Sequence, residues 1–281
     1  MTTVLVAFLA LALAQPGPPR RDCDRLVFDS HGSTLVGCFY AADAPHPHTL
    51  VFTQAFSATG DPWGIGKALS QRGVNVFTFE FRGCFESEGK QGLRNSQEDI
   101  GSALAFLSSS EMRAKYHVDP ARMVLGGHSY GGHMSMLYAV HHPEVGRVIS
   151  ISGGDLGVLA RQVRADPDLR KGYSDFFRSI GRPDGPVDFA YEDPMQELLD
   201  AQPYFSIADQ AGSLSDTDVL MTGGLDDREV SLEDHMLPLY RKLRANHGQG
   251  RVRFIVYQTD HSYENVSDRL IADVAAWIDG R

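Results

Sequence analysis

This chain of 281 residues has little cysteine, only 3 residues, and no C-x-x-C spacing, so a disulfide-built scaffold, a zinc ribbon and a dithiol redox site are all excluded. The 11 histidines are scattered, and none falls into a metal-ligand pattern with Cys or Glu. No cofactor or metal is therefore expected. Positive charge is also short: 26 Lys and Arg face 36 Asp and Glu, a formal net charge of −10. That balance argues against nucleic acid or an anionic membrane surface as a partner. Internal repeats and low-complexity linkers are missing. The longest apolar run, Val4 to Ala14, is too short to span a bilayer. It closes on Ala12-Leu13-Ala14, a small-x-small pattern, just before Gln15-Pro16-Gly17. This predicts a secretory leader over residues 1–14, although its n-region has no Lys or Arg; the alternative is a plain apolar extension. Export to the periplasm or medium follows if the leader is cleaved, and a cytoplasmic protein if it is not. In an oxidising compartment, Cys23 and Cys38, which flank a predicted hairpin, are the expected disulfide pair, with Cys84 free; three reduced thiols are the alternative.

Present instead is an alternation of apolar strands and amphipathic helices. Strands are predicted at 26–28, 35–40, 49–53, 74–79, 122–126, 148–151, 218–222 and 252–257. Helices are predicted over about 61–72, 97–107, 132–141, 232–245 and 266–278. Such alternation implies one α/β domain over 22–281, a mostly parallel central sheet with helices on both faces. The segment from about 155 to 212 breaks the rhythm. It has no clear strand, many charges, and the aromatics Tyr173, Phe176, Phe177, Tyr191, Tyr204 and Phe205. It reads as a helical cap inserted over the site, with Gly172, Gly181 and Gly185 as candidate hinges; its aromatics are expected mainly to form the cap's own core.

Gly127-His128-Ser129-Tyr130-Gly131 has the G-x-S-x-G spacing of a nucleophile elbow, between a predicted strand and a predicted helix. Serine is a poor nucleophile without a base and a carboxylate to orient that base. Both follow in chain order, each after its own strand. Thr222-Gly223-Gly224-Leu225-Asp226-Asp227 supplies the acid, Asp227 by its spacing to Val230, with Asp226 as rival. Asp260-His261-Ser262 supplies the base, His261. The other histidines, His128, His133, His141, His142, His235 and His247, read as structural or exposed. Two backbone N–H groups must hold a developing oxyanion: that of Tyr130, and one from the loop Thr53 to Asp61.

On these motifs the chain resembles the α/β-hydrolase superfamily, with the fold and helical cap that this implies. Ala55-Phe56-Ser57-Ala58-Thr59-Gly60-Asp61 is similar to its oxyanion loop, with Gln54-Ala55 where His-Gly is usual, and the resemblance makes Phe56 the second donor. Glu80-Phe81-Arg82-Gly83-Cys84-Phe85-Glu86-Ser87 resembles a structural Asp-x-Arg-Gly turn, departing at Glu80 and Phe85. The run Asp119 to Gly132 most resembles the catalytic domain of prolyl-oligopeptidase-type (S9-like) enzymes and related serine esterases. No propeller sequence accompanies it, so peptidase specificity does not carry over. The resemblance implies a serine hydrolase acting on a small-molecule ester or short peptide through Ser129, Asp227 and His261. Alternatives are an acyltransferase with the same triad and a binding protein that kept the fold. The serine disfavours dehalogenases, which use an acid, and dienelactone-type hydrolases, which use a cysteine. Oligomeric state and substrate are not legible.

Overall fold

The computed structural model describes residues 23–246 and 251–280; the expected leader and His247 lie outside them. Eight strands form one sheet in the order β1-β2-β4-β3-β5-β6-β7-β8. They are β1 (Asp24–Ser30), β2 (Ser33–Tyr40), β3 (His48–Thr53), β4 (Val74–Phe79), β5 (Met123–His128), β6 (Arg147–Ile151), β7 (Asp218–Gly224) and β8 (Val252–Tyr257). Only β2 runs against the others it meets. From β4 to β8 every pairing is parallel. The β1–β2 hairpin turns on His31 and Gly32, both at positive φ, the backbone twist that suits a two-residue hairpin. Cys23 and Cys38 are disulfide-bonded beside it, Cα atoms 5.6 Å apart, and Cys84 is free and buried.

The inner strands are apolar on both faces because helices cover both. α2 (Leu93–Leu107) and α3 (Ser110–Tyr116) pack with Phe28, Phe77, Phe79 and Leu125 on one side of the sheet. α1 (Ile65–Ser70) and α10 (Ser267–Ile278) enclose Leu50, Val76, Ile149 and Leu220 on the other. α4 (Tyr130–His141) follows β5, and its residues from Gly131 to Val140 are all buried. α9 (Leu237–Asn246) follows a short π-helical turn at Leu232–Met236.

Several boundaries differ from the sequence expectation, two of them for a clear tertiary reason. The helix expected over 61–72 is split, because Trp63 and Gly64 take positive φ and leave only α1 helical beyond a 3-10 turn. α2 begins four residues early because Glu197, over a hundred positions away, caps it: its carboxylate accepts from Leu93 N at 2.7 Å and Arg94 N at 2.9 Å. α3 was not expected at all, although Ser109 accepts from Met112 N in the manner of an N-cap.

The insertion between β6 and β7 is helical, with α5 (Leu156–Ala165), α6 (Pro167–Ile180), α7 (Pro194–Asp200) and α8 (Gln202–Phe205). Asp155, Asp166 and Asp193 each cap the helix that follows them, and Pro occupies the first turn after the latter two. Of the candidate hinge glycines, Gly172 sits inside α6 and Gly181 is its C-cap. A strap at 186–190 ties the insertion to the body: Phe85 N donates to Pro186 O, Asp188 N to Gly83 O, and Ala190 N to Gln91 O.

The turn after β4 is anchored by a buried ion pair. Arg82 Nε lies 2.7 Å from Asp99 Oδ1, Arg82 N donates to Oδ2 at 2.8 Å, and Ser30 Oγ to Oδ1 at 2.7 Å. Asp99 is fully buried. Removing one partner of such a pair strands the other charge in a low-dielectric site. Arg82→Met is therefore expected to lower the unfolding free energy by about 3–5 kcal/mol in urea titration. A loss under about 1 kcal/mol would mean that the pair behaves like an exposed one.

Candidate active site

β5 ends in a turn that only small neighbours allow. Ser129 has φ 54° and ψ −119°, a left-handed conformation that costs on the order of 1–3 kcal/mol for a non-glycine residue. Its own N–H donates to Ile151 O at 2.8 Å, which anchors the turn on β6. A Cβ at Gly127 or Gly131 would fall on the backbone of Thr53, at the end of β3. Glycine at both positions lets the two segments close, and the Thr53 hydroxyl lies 2.8 Å from the Gly131 carbonyl. The turn stands at the C-terminal end of the parallel strands, where α/β sheets gather their reactive groups.

The loop after β8 brings His261 to this serine. Its Nε2 is 2.8 Å from Ser129 Oγ, and its Nδ1 is 2.8 Å from Asp227 Oδ2. The three residues are thus joined in one hydrogen-bonded line. Asp226 is exposed and points away; its carboxylate accepts from Gln258 Nε2 at 2.5 Å. Asp227 is buried and accepts three further hydrogen bonds, from Ser152 Oγ, Val230 N and Glu229 N, at 2.8, 2.8 and 3.0 Å. Burial opposes its charge. The hydrogen bond and charge of His261 overcome that and hold the carboxyl below its ordinary range. Burial likewise lowers the His261 pKa, and Asp227 more than reverses the effect, so the imidazole is a stronger base than an ordinary histidine.

Four residues that the sequence did not single out for the site hold this arrangement. Ser152, at φ 43°, bridges Asp227 Oδ2 and the Tyr263 hydroxyl, which also takes the Thr222 hydroxyl at 3.2 Å. Trp63 Nε1 donates to Ser262 O at 2.6 Å. His128, expected as merely structural or exposed, is buried, and its Nε2–H donates to the His261 carbonyl at 3.0 Å. These contacts are tertiary, and only the G-x-S-x-G spacing around His128 hinted at one of them.

Tyr130 is the first residue of α4, where a backbone N–H has no partner within the helix. Phe56 lies in the loop after β3. Its ring meets that of Tyr130 edge-on at 4.8 Å, and Phe177 and Phe189 close around it at 5.3 and 6.0 Å. The insertion aromatics are therefore divided. Phe176 and Phe177 face Phe56, Phe205 is in the core, and Tyr191 is exposed. Beside Phe56 and Tyr130 is a cavity of about 50 Å³, also lined by Leu156, Phe177 and Leu198. An open groove of about 490 Å³, lined by His46, Arg113 and His117, borders the opposite, N-terminal ends of β3 and β5 and is remote from Ser129. Among the described residues no cluster of three or more His, Cys, Asp or Glu could hold a metal ion. No described helix is long and apolar enough to cross a membrane.

Two buried histidines give the fold a pH dependence. Burial, then the charge of His261, pushes His128 down to about 3; burial pushes His133 down to about 4. In the unfolded chain both would take a proton near 6.5, so the unfolded state binds more protons below that pH. Stability is fully present above about 6.5 and falls as the pH drops toward 4, by at most about 1.4 kcal/mol per pH unit for each ring. The thermal midpoint should fall across this window, less steeply in His128→Asn. Equal slopes in the two proteins would show that His128 ionises freely in the fold.

Comparison with known proteins agrees with this fold. The family model described as the alpha/beta hydrolase fold matches residues 48–190. A relative from Salmonella typhimurium, described as uncharacterized protein YfhR, is 31% identical over 132 residues. That alignment covers 45% of this chain and 43% of the relative, so the chain spans less than half the length of the curated relative it matches. Est1E from Butyrivibrio proteoclasticus has a similar structure, with TM-score 0.67 and 14% identity over 90% of this chain and 97% of that one. The enol-lactonase from Burkholderia xenovorans LB400 gives 0.62 and 15%, over 90% and 100%. The esterase domain of a Rhodothermus marinus protein gives 0.60 and 21%, over 90% and 96%. At these identities the structural likenesses speak for the fold alone.

Proposed function

This chain belongs to the alpha/beta hydrolase family, and from that premise we propose that it is a serine hydrolase, cleaving a carboxylic ester or a small amide or peptide bond. The unbroken line of hydrogen bonds from Ser129 through His261 to Asp227 carries the reading. Ser129 Oγ attacks the carbonyl carbon while His261 Nε2 takes its proton. Asp227 holds the imidazole with Nδ1–H toward itself and offsets the charge that forms. The N–H groups of Tyr130 and Phe56 hold the oxyanion. His261 then passes the proton to the leaving group, and water, activated by the same imidazole, releases the acyl group.

The small apolar cavity beside Phe56 and Tyr130 supports a short acyl group. The resemblance of Asp119 to Gly132 to prolyl-oligopeptidase-type domains is what keeps short peptides in the reading. Export is proposed on the leader pattern, and the Cys23–Cys38 disulfide fits an oxidising compartment.

Hydrolysis of a short-chain p-nitrophenyl ester tests the reading. Ser129→Ala should lower kcat/KM by about a thousandfold or more. Asp227→Asn should cost at least about a hundredfold, and Asp226→Asn should stay within about threefold. In the wild type kcat/KM should rise with pH through a limb above 6.5, as His261 loses its proton. Activity that survives Ser129→Ala, or an equal loss in both aspartate variants, would overturn the assignment.

A further inference from the structure

One charge beside the imidazole takes no part in the Ser129–His261–Asp227 line. Glu229 Oε2 lies 3.7 Å from His261 Nε2, the nitrogen that faces Ser129 Oγ. The Glu229 N–H donates to Asp227 Oδ1, which fixes where the residue sits. Its side chain is 57% exposed, so it stands at the mouth of the site. On the insertion side it is close to Tyr173 of α6, whose phenol is pushed up to about 12 by burial and then by the Glu229 charge. Among the described residues the one cationic partner recorded for this carboxylate is His261 itself, when protonated. The basic residues nearest Tyr173 in α6 are paired elsewhere, Arg170 with Asp193 and Lys171 with Asp175.

The position of this carboxylate is chemically specific. Nε2 is the atom that delivers a proton to the leaving group, so the leaving oxygen or nitrogen must come to it. Glu229 therefore faces the first few atoms beyond the scissile bond, on the leaving-group side and not the acyl side. Orientation of the ring is already supplied by Asp227, so catalysis needs no second carboxylate. A negative charge there repels an anionic leaving group and attracts a cationic one.

We propose that Glu229 is a specificity residue that selects leaving groups carrying a positive charge a few atoms from the scissile bond, such as ammonium alcohols. This rests on the serine-hydrolase reading. Because Glu229 is half in solvent, the preference is modest, about fivefold, and weakens with salt.

The test compares kcat/KM for the acetate ester of choline with that for its carbon isostere, in which a quaternary carbon replaces the nitrogen. The full chain should favour the cationic ester about fivefold at low salt. The ratio should shrink in high salt and fall toward one in Glu229→Gln. A wild-type ratio of one, or a preference unchanged in Glu229→Gln, overturns the proposal. Covalent labelling of Ser129 by a fluorophosphonate separates the two levels. Labelling without hydrolysis of the choline ester sinks the leaving-group inference alone. Absence of both sinks the serine-hydrolase reading and this inference with it.

Discussion

A carboxylate buried with no lysine or arginine paired to it among the described residues sets the constraint on which the rest of this site depends. The Asp227 side chain has no solvent exposure, and its charge persists only because four donors converge on it. An isolated carboxylate in such a place would take a proton. Two of the donors are backbone N–H groups of its own loop, one is Ser152, and the fourth is His261. The left-handed backbone of Ser152 and Tyr263 and the packing of Trp63 and His128 against the His261 loop follow from the need to hold those donors in place. Strain at Ser129 belongs to the same design, since it stands the hydroxyl where the imidazole can reach it.

The body and the insertion are coupled at the other side of the nucleophile. Glu197 of α7 caps α2, and the Tyr130 hydroxyl, one residue after Ser129, bonds to Ser96 of α2 and to Gln91. The strap at 186–190 then pairs with the segment that carries Gln91. Phe56 is closed over by Phe177 and Phe189. The insertion thus bears on the candidate oxyanion loop through packed rings.

The sheet was legible because each inner strand is an apolar run between turn signals, and the strand–helix rhythm dictates parallel order. Ser129, the acid loop and His261 were legible because the elbow spacing and the position after a strand are local properties. What could not be read is tertiary. The start of α2 depends on a carboxylate 104 residues away. The break after Asp61 depends on Trp63 turning to meet the Ser262 carbonyl. The choice between adjacent aspartates could be argued from spacing, but which carboxylate is buried depends on Ser152, a residue of another strand's loop. The helices of the insertion did carry local signals, in Asp166-Pro167 and Asp193-Pro194, yet their polar surfaces hid the boundaries.

The hydrogen bond between His261 and Asp227 is the most direct point of test. In protein with nitrogen-labelled histidine, proton NMR should show a strongly deshielded, exchange-protected proton on His261 Nδ1. The account predicts that this resonance persists in Asp226→Asn, disappears in Asp227→Asn, and shifts with a midpoint above 6.5 as the ring titrates. A resonance that survives in Asp227→Asn and vanishes in Asp226→Asn would contradict it.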